Sequence, residues 1–368
     1  MIKNGLADDT INLSEAHLVW FGIAAGPEDI LDPLYGDSLD CGKEAYNMGG
    51  NAFRSTATLS TGRGVVAESM MPDLSEINEE YFKENGVKLE ANKEIDPEYY
   101  PDFSEYESIR YESDALLIGS NYYATKITAA QDNRDLIKSQ ILETGAMTFG
   151  YSASGLFEIA ENGKKGYYYY NPVINSLPNH EITVIGWDDT ISKDCFDVSA
   201  ASKIYPELVI YPSKPRGDGA WLCRNSWGTD YGDEGYFYIS YYDASIDEAC
   251  SMEMAPRDNY GKNIYSYTGH IADVIGADED NGIAYANIFE AKGNDYISTI
   301  GLETLDSDVP YVIEVYGDVD KCDPTSGTLL CKKSGVFDTI GYHTVDLGED
   351  INIGEEGCFS VVVKHAMK

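Results

Sequence analysis

The chain of 368 residues is long enough for two domains with separate hydrophobic cores, and a hydrophobic content of 43% excludes wholesale disorder. Against 26 Lys and Arg stand 63 Asp and Glu, and the formal net charge of −37 argues against a nucleic-acid partner or an anionic membrane surface, whose phosphates it would repel. No window approaches the roughly 18 uncharged apolar residues of a membrane-spanning helix, so no transmembrane segment is predicted.

The opening "MIKNGLADDTINLSE" carries one early lysine, the acidic pair Asp8 and Asp9 and no apolar run, so it does not read as a signal peptide. Residues 73–115 are rich in Glu, Tyr and Pro and are expected to form a long solvent-facing excursion. "DNRDLIKSQILETGAMTFGY" predicts an amphipathic helix from about Asp132 to Glu143, a Thr-Gly stop and a strand from Ala146. In "LPNHEITVIGWDD" His180 leads an apolar strand, where a histidine serves either as a structural hydrogen bonder or as a proton acceptor. Further on, "GAWLCRNSWGTDYGDEGYFYISY" reads as an apolar strand that ends on Asn225, a Gly-rich turn and a Tyr-rich return strand.

From about Tyr260 the pattern changes to short β-rich runs separated by Gly, Asp and Asn: "NIYSYTGHIADVIG", "GIAYANIFEA", "YISTIGLETL", "PYVIEVYGD", "GYHTVDLG" and "GCFSVVVKHA". Such spacing predicts a β-sandwich. The boundary falls between Ala255 and Tyr260, giving domains 1–256 and 257–368, and no fixed-period repeat is present. The 29 tyrosines suit half-exposed strands. Seven cysteines without CxxC pairs or His partners at ligand spacing predict no metal site of the zinc type. Cys322 and Cys331 bracket the turn-like "DPTSGTLL", and a disulfide and free thiols are both open there. The acidic turns "ADEDNG" and "GDVDKCD" offer carboxylates to a structural calcium ion, although neither has the full EF-hand pattern and solvated loops are the simpler reading.

The stretches around His180 and Asn225 resemble the histidine and asparagine blocks of papain-like cysteine proteases, the second matching "NSWG…WG…GY" over many positions. The resemblance implies that His180 is the general base and acid, that Asn225 accepts the other ring N–H and orients the imidazole, and that Trp227 shields this bond from water. "INLSEAHLVWF" and "NMGGNAFRSTATLSTGRGVVAESMMP" are similar to two further blocks of the family, and Gly49 and Gly50 would let a substrate backbone approach closely. By the same resemblance, "LETGAMTFGYSASGLFE" holds the strand facing the histidine across the cleft. Glu181 stands where the family usually has a small residue, and it is expected to alter the peptide pocket in a direction the sequence does not give.

The nucleophile is harder to place. Cys41 precedes His180 by 139 residues, within the family's usual separation of about 130–150, but it follows the "LSE" block and has no Trp after it. The resemblance puts the nucleophile ahead of that block, at the head of a central helix of which "MIKNGL" looks like the tail. The expectation is therefore an N-terminally truncated chain without its nucleophile, hence without peptidase activity; natural loss of the cysteine is the other reading. The fold implied is α+β, a papain-like two-lobed fold lacking most of its central helix, followed by an all-β lectin-like sandwich as in some bacterial surface and secreted cysteine proteases. The resemblance further implies peptide-bond hydrolysis on a protein or peptide substrate, no required cofactor, a glycan or cell-wall ligand for the sandwich, and an extracellular or cell-surface location. A non-catalytic binding protein acting through the sandwich is the alternative.

Overall fold

A computed structural model describes residues 13–19, 49–60, 64–71, 117–126, 133–160, 167–256, 263–267 and 282–365. The expected excursion over 73–115, Cys41 and the acidic turn "ADEDNG" lie outside the described residues, apart from Gly282. The chain divides into two compact units, Tyr123–Met252 and Met1–Tyr122 together with Glu253–Lys368. Among the described residues no helix is long and apolar enough to cross a membrane.

In the N-terminal segment, α1 (Glu15–Val19) follows Ser14, whose Oγ accepts from the His17 N–H at 2.9 Å and donates to Met71 O at 2.5 Å. The residue before the helix thus caps it and ties it to the "ESMMP" block. Helix α2 (Ala52–Ser60) starts just after the glycine pair, and β1 (Leu117–Lys126) closes the segment.

The Tyr123–Met252 unit takes the end of β1 and then α3 (Arg134–Thr144). Ile137 and Ile141, four residues apart and so one above the other on one helix face, are its buried residues. Gly145 ends the helix with φ 90°, a left-handed cap that donates its N–H to Ile141 O at 2.7 Å. Strands β2 (Met147–Tyr151), β3 (Glu158–Ile159), β4 (Tyr168–Tyr169), β5 (His180–Asp188), β6 (Ala220–Arg224), β7 (Tyr236–Ser240) and β8 (Glu248–Pro256) follow. They lie in one sheet in the order β8-β2-β5-β6-β7-β4-β3. Strand β2 alternates buried and half-buried residues, the period-two signature of a one-faced strand. Its inward Phe149 and Tyr151 join Ile182, Val184, Trp221, Cys223, Phe237 and Ile239 in the core. The structure corrects one expectation: the β2 strand does not face the histidine across a cleft but is hydrogen-bonded beside β5, with Tyr151 opposite His180. Its alternating apolar residues belong to the same core as those of β5, and sharing one face of one sheet is how both bury them.

After Tyr260 come β9 (Ile283–Glu290), β10 (Tyr296–Thr304), β11 (Val309–Gly317), β12 (Thr328–Phe337), β13 (Ile340–Asn352) and β14 (Cys358–His365). One sheet runs β12-β11-β14-β9, all antiparallel, and β10 pairs antiparallel with β13. Ile313, Val315, Phe359, Val361 and Val363 from the first sheet and Ile300, Leu302, Val345 and Leu347 from the second form one core. Two details depart from expectation. Residues 263–267 form no strand, and Tyr265 instead packs its ring edge-on against Phe359 at 4.9 Å. Strand β12 takes in the last three residues of what reads as a turn, so Cys331 sits in the ladder opposite Val315 while Cys322 lies beyond its end, and both thiols are free.

Glu314 is the one charged side chain buried in the middle of β11, 4% exposed, with Lys332 Nζ at 2.8 Å and Lys364 Nζ at 2.5 Å from its two oxygens. These lysines hold its carboxyl down to about 2. A depressed carboxylate contributes stability above its unfolded value near 4.5, and that contribution is lost as pH falls toward about 2. Glu314→Gln is expected to cost the sandwich about 1 kcal/mol at pH 7 and almost nothing at pH 2. Urea unfolding followed by tyrosine fluorescence at the two pH values checks this; an equal loss at both would contradict it.

Candidate active site

The site forms where β5 begins. The residue before it, Asn179, donates its N–H to Tyr151 O at 3.0 Å and accepts from Ala153 N at 2.7 Å, so the end of β2 clamps the entry to the strand. His180 is then fixed opposite Tyr151 in the ladder, their rings 5.8 Å apart.

Asn225 arrives from the other side, one residue past β6. The turn behind it is held by its N–H, which donates to Gly235 O at 2.9 Å. Gly235 has φ 92°, and a Cβ there would stand 3.3 Å from Gly228 O, so the turn demands a glycine. The Asn225 amide is 5% exposed, and its Oδ1 takes the Ser226 N–H at 2.8 Å. Only an amide oxygen can accept that bond, which fixes which end of the side chain points at the histidine. Oδ1 lies 2.9 Å from His180 Nε2. In the neutral ring Nε2 therefore carries the proton, and Nδ1, on the other edge, keeps its lone pair.

Trp227 stacks on the imidazole at 4.6 Å and 26° while itself 48% exposed, so the indole covers the ring from the solvent side. Tyr231 meets Trp227 edge-on at 5.0 Å and Phe237 at 5.5 Å, and its hydroxyl donates to Glu158 Oε1 at 3.4 Å. Burial pushes the hydroxyls of Tyr151 and Tyr231 well above the ordinary phenol value, so both are neutral. Asn225 Nδ2 is buried and makes no hydrogen bond among the described residues. Sequence reading missed Tyr151, Tyr231 and Glu158. Tyr231 left a signal, since it stands in "YG" where the family block has "WG".

Of the predicted site residues, His180, Asn225 and Trp227 come together. Glu181 is next to them in β5, exposed, with Thr148 Oγ1 donating to its Oε1 at 3.4 Å. Gly49 and Gly50 belong to the other unit, exposed ahead of α2, and a Cβ on either would meet nothing within 4 Å. No cysteine among the described residues bonds to His180. The Cys223 thiol is wholly buried, donates to Trp221 O and is pushed up by burial, which makes it inert. Among the described residues no group of three His, Cys, Asp or Glu could hold a metal ion.

The family described as "Papain family cysteine protease" matches residues 39–258, and the family described as "Lectin like domain" matches residues 264–368. The chain is 28% identical over 126 residues to "Probable cysteine proteinase 224L" of Invertebrate iridescent virus 6, covering 30% of this chain and 25% of the relative. It is 25% identical over 130 residues to "Serine-repeat antigen protein 5" of Plasmodium falciparum, covering 34% of this chain and 11% of that protein. The chain thus matches a quarter or less of the length of these curated relatives. Among solved structures it is similar to the clostridial cysteine protease Cwp84 after propeptide cleavage, with a TM-score of 0.66 and 22% identity over 96% of this chain and 73% of the other. The cysteine protease and lectin-like domains of Cwp84, a surface layer associated protein of Clostridium difficile, superpose with a TM-score of 0.63 and 21% identity over 96% and 65%. These two establish the fold: a papain-like domain followed by a lectin-like sandwich.

Proposed function

The chain belongs to the papain family of cysteine proteases, whose match spans more than half of it, and on that basis we propose that the His180 site serves peptide-bond hydrolysis by a Cys-His-Asn mechanism. The observation that carries this reading is the 2.9 Å bond between His180 Nε2 and Asn225 Oδ1. It leaves Nδ1 as the basic edge, free to take a proton from a thiol, hold it while the thiolate attacks the carbonyl carbon, and return it to the leaving amine. Asn225 keeps the Nε2 proton throughout, and the Trp227 indole excludes water from that bond. Cys195, Cys223 and Cys250, the described cysteines of this unit, make no hydrogen bond to His180, whose side-chain bond is to Asn225. The 368-residue chain by itself is expected to turn over no peptide, and a fluorogenic peptide assay checks that; turnover would point to Cys41. Joined behind a helix carrying a Cys-Trp pair, the chain is expected to gain activity that His180→Ala lowers by about 10²–10⁴-fold. Activity indifferent to that substitution would refute the assignment.

The second domain supports a companion reading, binding of a glycan or cell-wall ligand at the cell surface. A cavity of about 280 Å³ in the sandwich unit is walled by Tyr265, Tyr267, Tyr285, Tyr296 and Tyr342 with Glu303 among them. Tyrosine faces suit sugar rings, and hydroxyl and carboxyl groups suit their hydroxyls. The likeness to a surface layer associated protein favours an extracellular location.

A further inference from the structure

The cavity of the sandwich unit holds polar atoms that nothing in the fold satisfies. Among the described residues Glu303, on β10, is the one charged side chain of its lining, where no Lys, Arg or His stands. Oε1 of this carboxyl is buried and has no hydrogen-bond partner. Ser60 Oγ, at the end of α2 in the same unit and the same lining, is likewise buried without a partner. Burial alone, with no neighbouring cation to offset it, pushes the Glu303 carboxyl up to about 7. The tyrosines of the wall do not relieve it. The Tyr265 hydroxyl donates to Asp295 Oδ2 at 2.9 Å, that of Tyr267 donates to Ile288 O at 2.9 Å, and that of Tyr285 bonds to His365 Nε2 at 3.1 Å. These hydroxyls are engaged within the fold, and the rings are what remains to offer a ligand. Tyr342 stands beside the carboxyl: it is the ladder partner of Glu303 and so shares its face, and a Cβ on Gly301, two residues before Glu303, would collide with its hydroxyl. The glycine therefore lets this ring lie along β10 next to Glu303.

Resting on the reading of this cavity as a glycan site, we propose that it takes an amino sugar whose nitrogen is a free ammonium, paired with Glu303, in preference to the N-acetylated sugar. A buried carboxylate without a partner is costly. A sugar hydroxyl gives it one hydrogen bond and leaves the charge uncompensated, whereas an ammonium supplies the hydrogen bond and the opposite charge together. Either partner can bring the proton, since a neutral amine meeting a protonated carboxyl forms the same pair. Aromatic faces attract the same cation, and the net charge of −37 concentrates cations around the chain. N-acetylation removes the charge and adds a carbonyl oxygen, an acceptor to which an ionised carboxylate can donate nothing. Ser60 Oγ, both donor and acceptor, suits a sugar hydroxyl.

The test is isothermal titration calorimetry of the full chain with the β-1,4-linked glucosamine trimer and with its N-acetylated form. The free-amine trimer is expected to bind about 10-fold tighter, the worth of one charge-assisted hydrogen bond, and the ratio should fall close to one in Glu303→Gln. That variant replaces an unpartnered buried carboxyl by a neutral amide, so it is expected to fold at least as stably as the wild type, which a thermal melt checks. Glu355→Gln, at an exposed carboxylate outside the cavity lining, removes the same charge and should keep the ratio, which separates Glu303 from the general field of an acidic protein. Tyr296→Ala, in the cavity wall, should weaken both trimers. Equal affinities that Tyr296→Ala still weakens would overturn the amine preference and leave the glycan site standing. No binding, or binding indifferent to Tyr296→Ala and Glu303→Gln alike, would overturn both, and an equal loss of the ratio in Glu303→Gln and Glu355→Gln would overturn the role of Glu303.

Discussion

Asp243→Ala is expected to destabilise the Tyr123–Met252 unit by about 2–4 kcal/mol, through donors left unpaired in a buried place. Asp243 is 8% exposed, just after β7. Its Oδ2 accepts from Asn171 N at 2.6 Å, and its Oδ1 accepts from Ser245 N at 2.8 Å and Ser245 Oγ at 2.6 Å. Ser245 Oγ in turn receives Ser152 N at 3.2 Å, and the Tyr169 hydroxyl donates to Ser152 O. One carboxylate thus joins three loops, including the one that follows Tyr151 and clamps Asn179. Burial nevertheless raises its pKa from 3.8 to about 6, against the pull of these donors. For a raised carboxyl the contribution is fully present below the unfolded value and is lost as pH rises through the folded one, here between about 4 and 6. Thermal melts of the wild type and Asp243→Asn from pH 4 to pH 8 read the effect. The wild-type advantage should narrow as pH rises through this window, by an amount on the order of 2 kcal/mol. A difference independent of pH would show that the buried carboxyl does not titrate there.

How far the fold can be read from the sequence depends on how a residue's partner is specified. Helix α3 is legible because Ile137, Ile141 and Gly145 are local signals, a period and a stop. Asn225, Trp227 and the turn glycines are legible because a tight turn and a ring-orienting amide constrain consecutive residues. Strand β12 is not. It is an edge strand with an exposed, lysine-bearing face, and edges of that kind carry charge that hides their alternation. Nor are Asp243, Glu158 and Tyr151 legible as members of the site's support. Each is an ordinary residue in its own segment, and its role comes from a partner distant in sequence: His180 meets Tyr151, Asn171 donates to Asp243, and Tyr231 reaches Glu158. Glu181 shows the intermediate case: its unusual identity after the histidine is visible in one dimension, but its ladder partner Gly150 is set by the β2–β5 register.

Asn225→Ala is expected to reduce the preference of His180 for the Nε2–H tautomer by about 3- to 10-fold, the worth of one hydrogen bond. The ring has two kinds of restraint. Stacking on Trp227 at 4.6 Å and contact with Tyr151 at 5.8 Å hold its plane but are blind to which nitrogen carries the proton. Among the described residues, the bond to Asn225 Oδ1 is the restraint that distinguishes them. The variant should therefore keep the ring in place while releasing its proton, a separation that ¹⁵N chemical shifts of the two imidazole nitrogens report directly. Asn225→Asp sharpens the test, because it keeps the acceptor and adds a charge. It should preserve the Nε2–H tautomer and tighten its hold, since a carboxylate oxygen accepts the ring N–H more strongly than an amide oxygen does. Tyr231→Phe keeps the edge contact with Trp227 and removes only the hydroxyl, so its effect on the tautomer should be under about 2-fold. If Asn225→Ala leaves the nitrogen shifts unchanged, the tautomer is set elsewhere and Asn225 serves the turn alone, held by its bond to Gly235. If the shifts move as expected, the amide leaves Nδ1 unprotonated in the neutral ring, the state a base must be in before it can take a proton from a thiol.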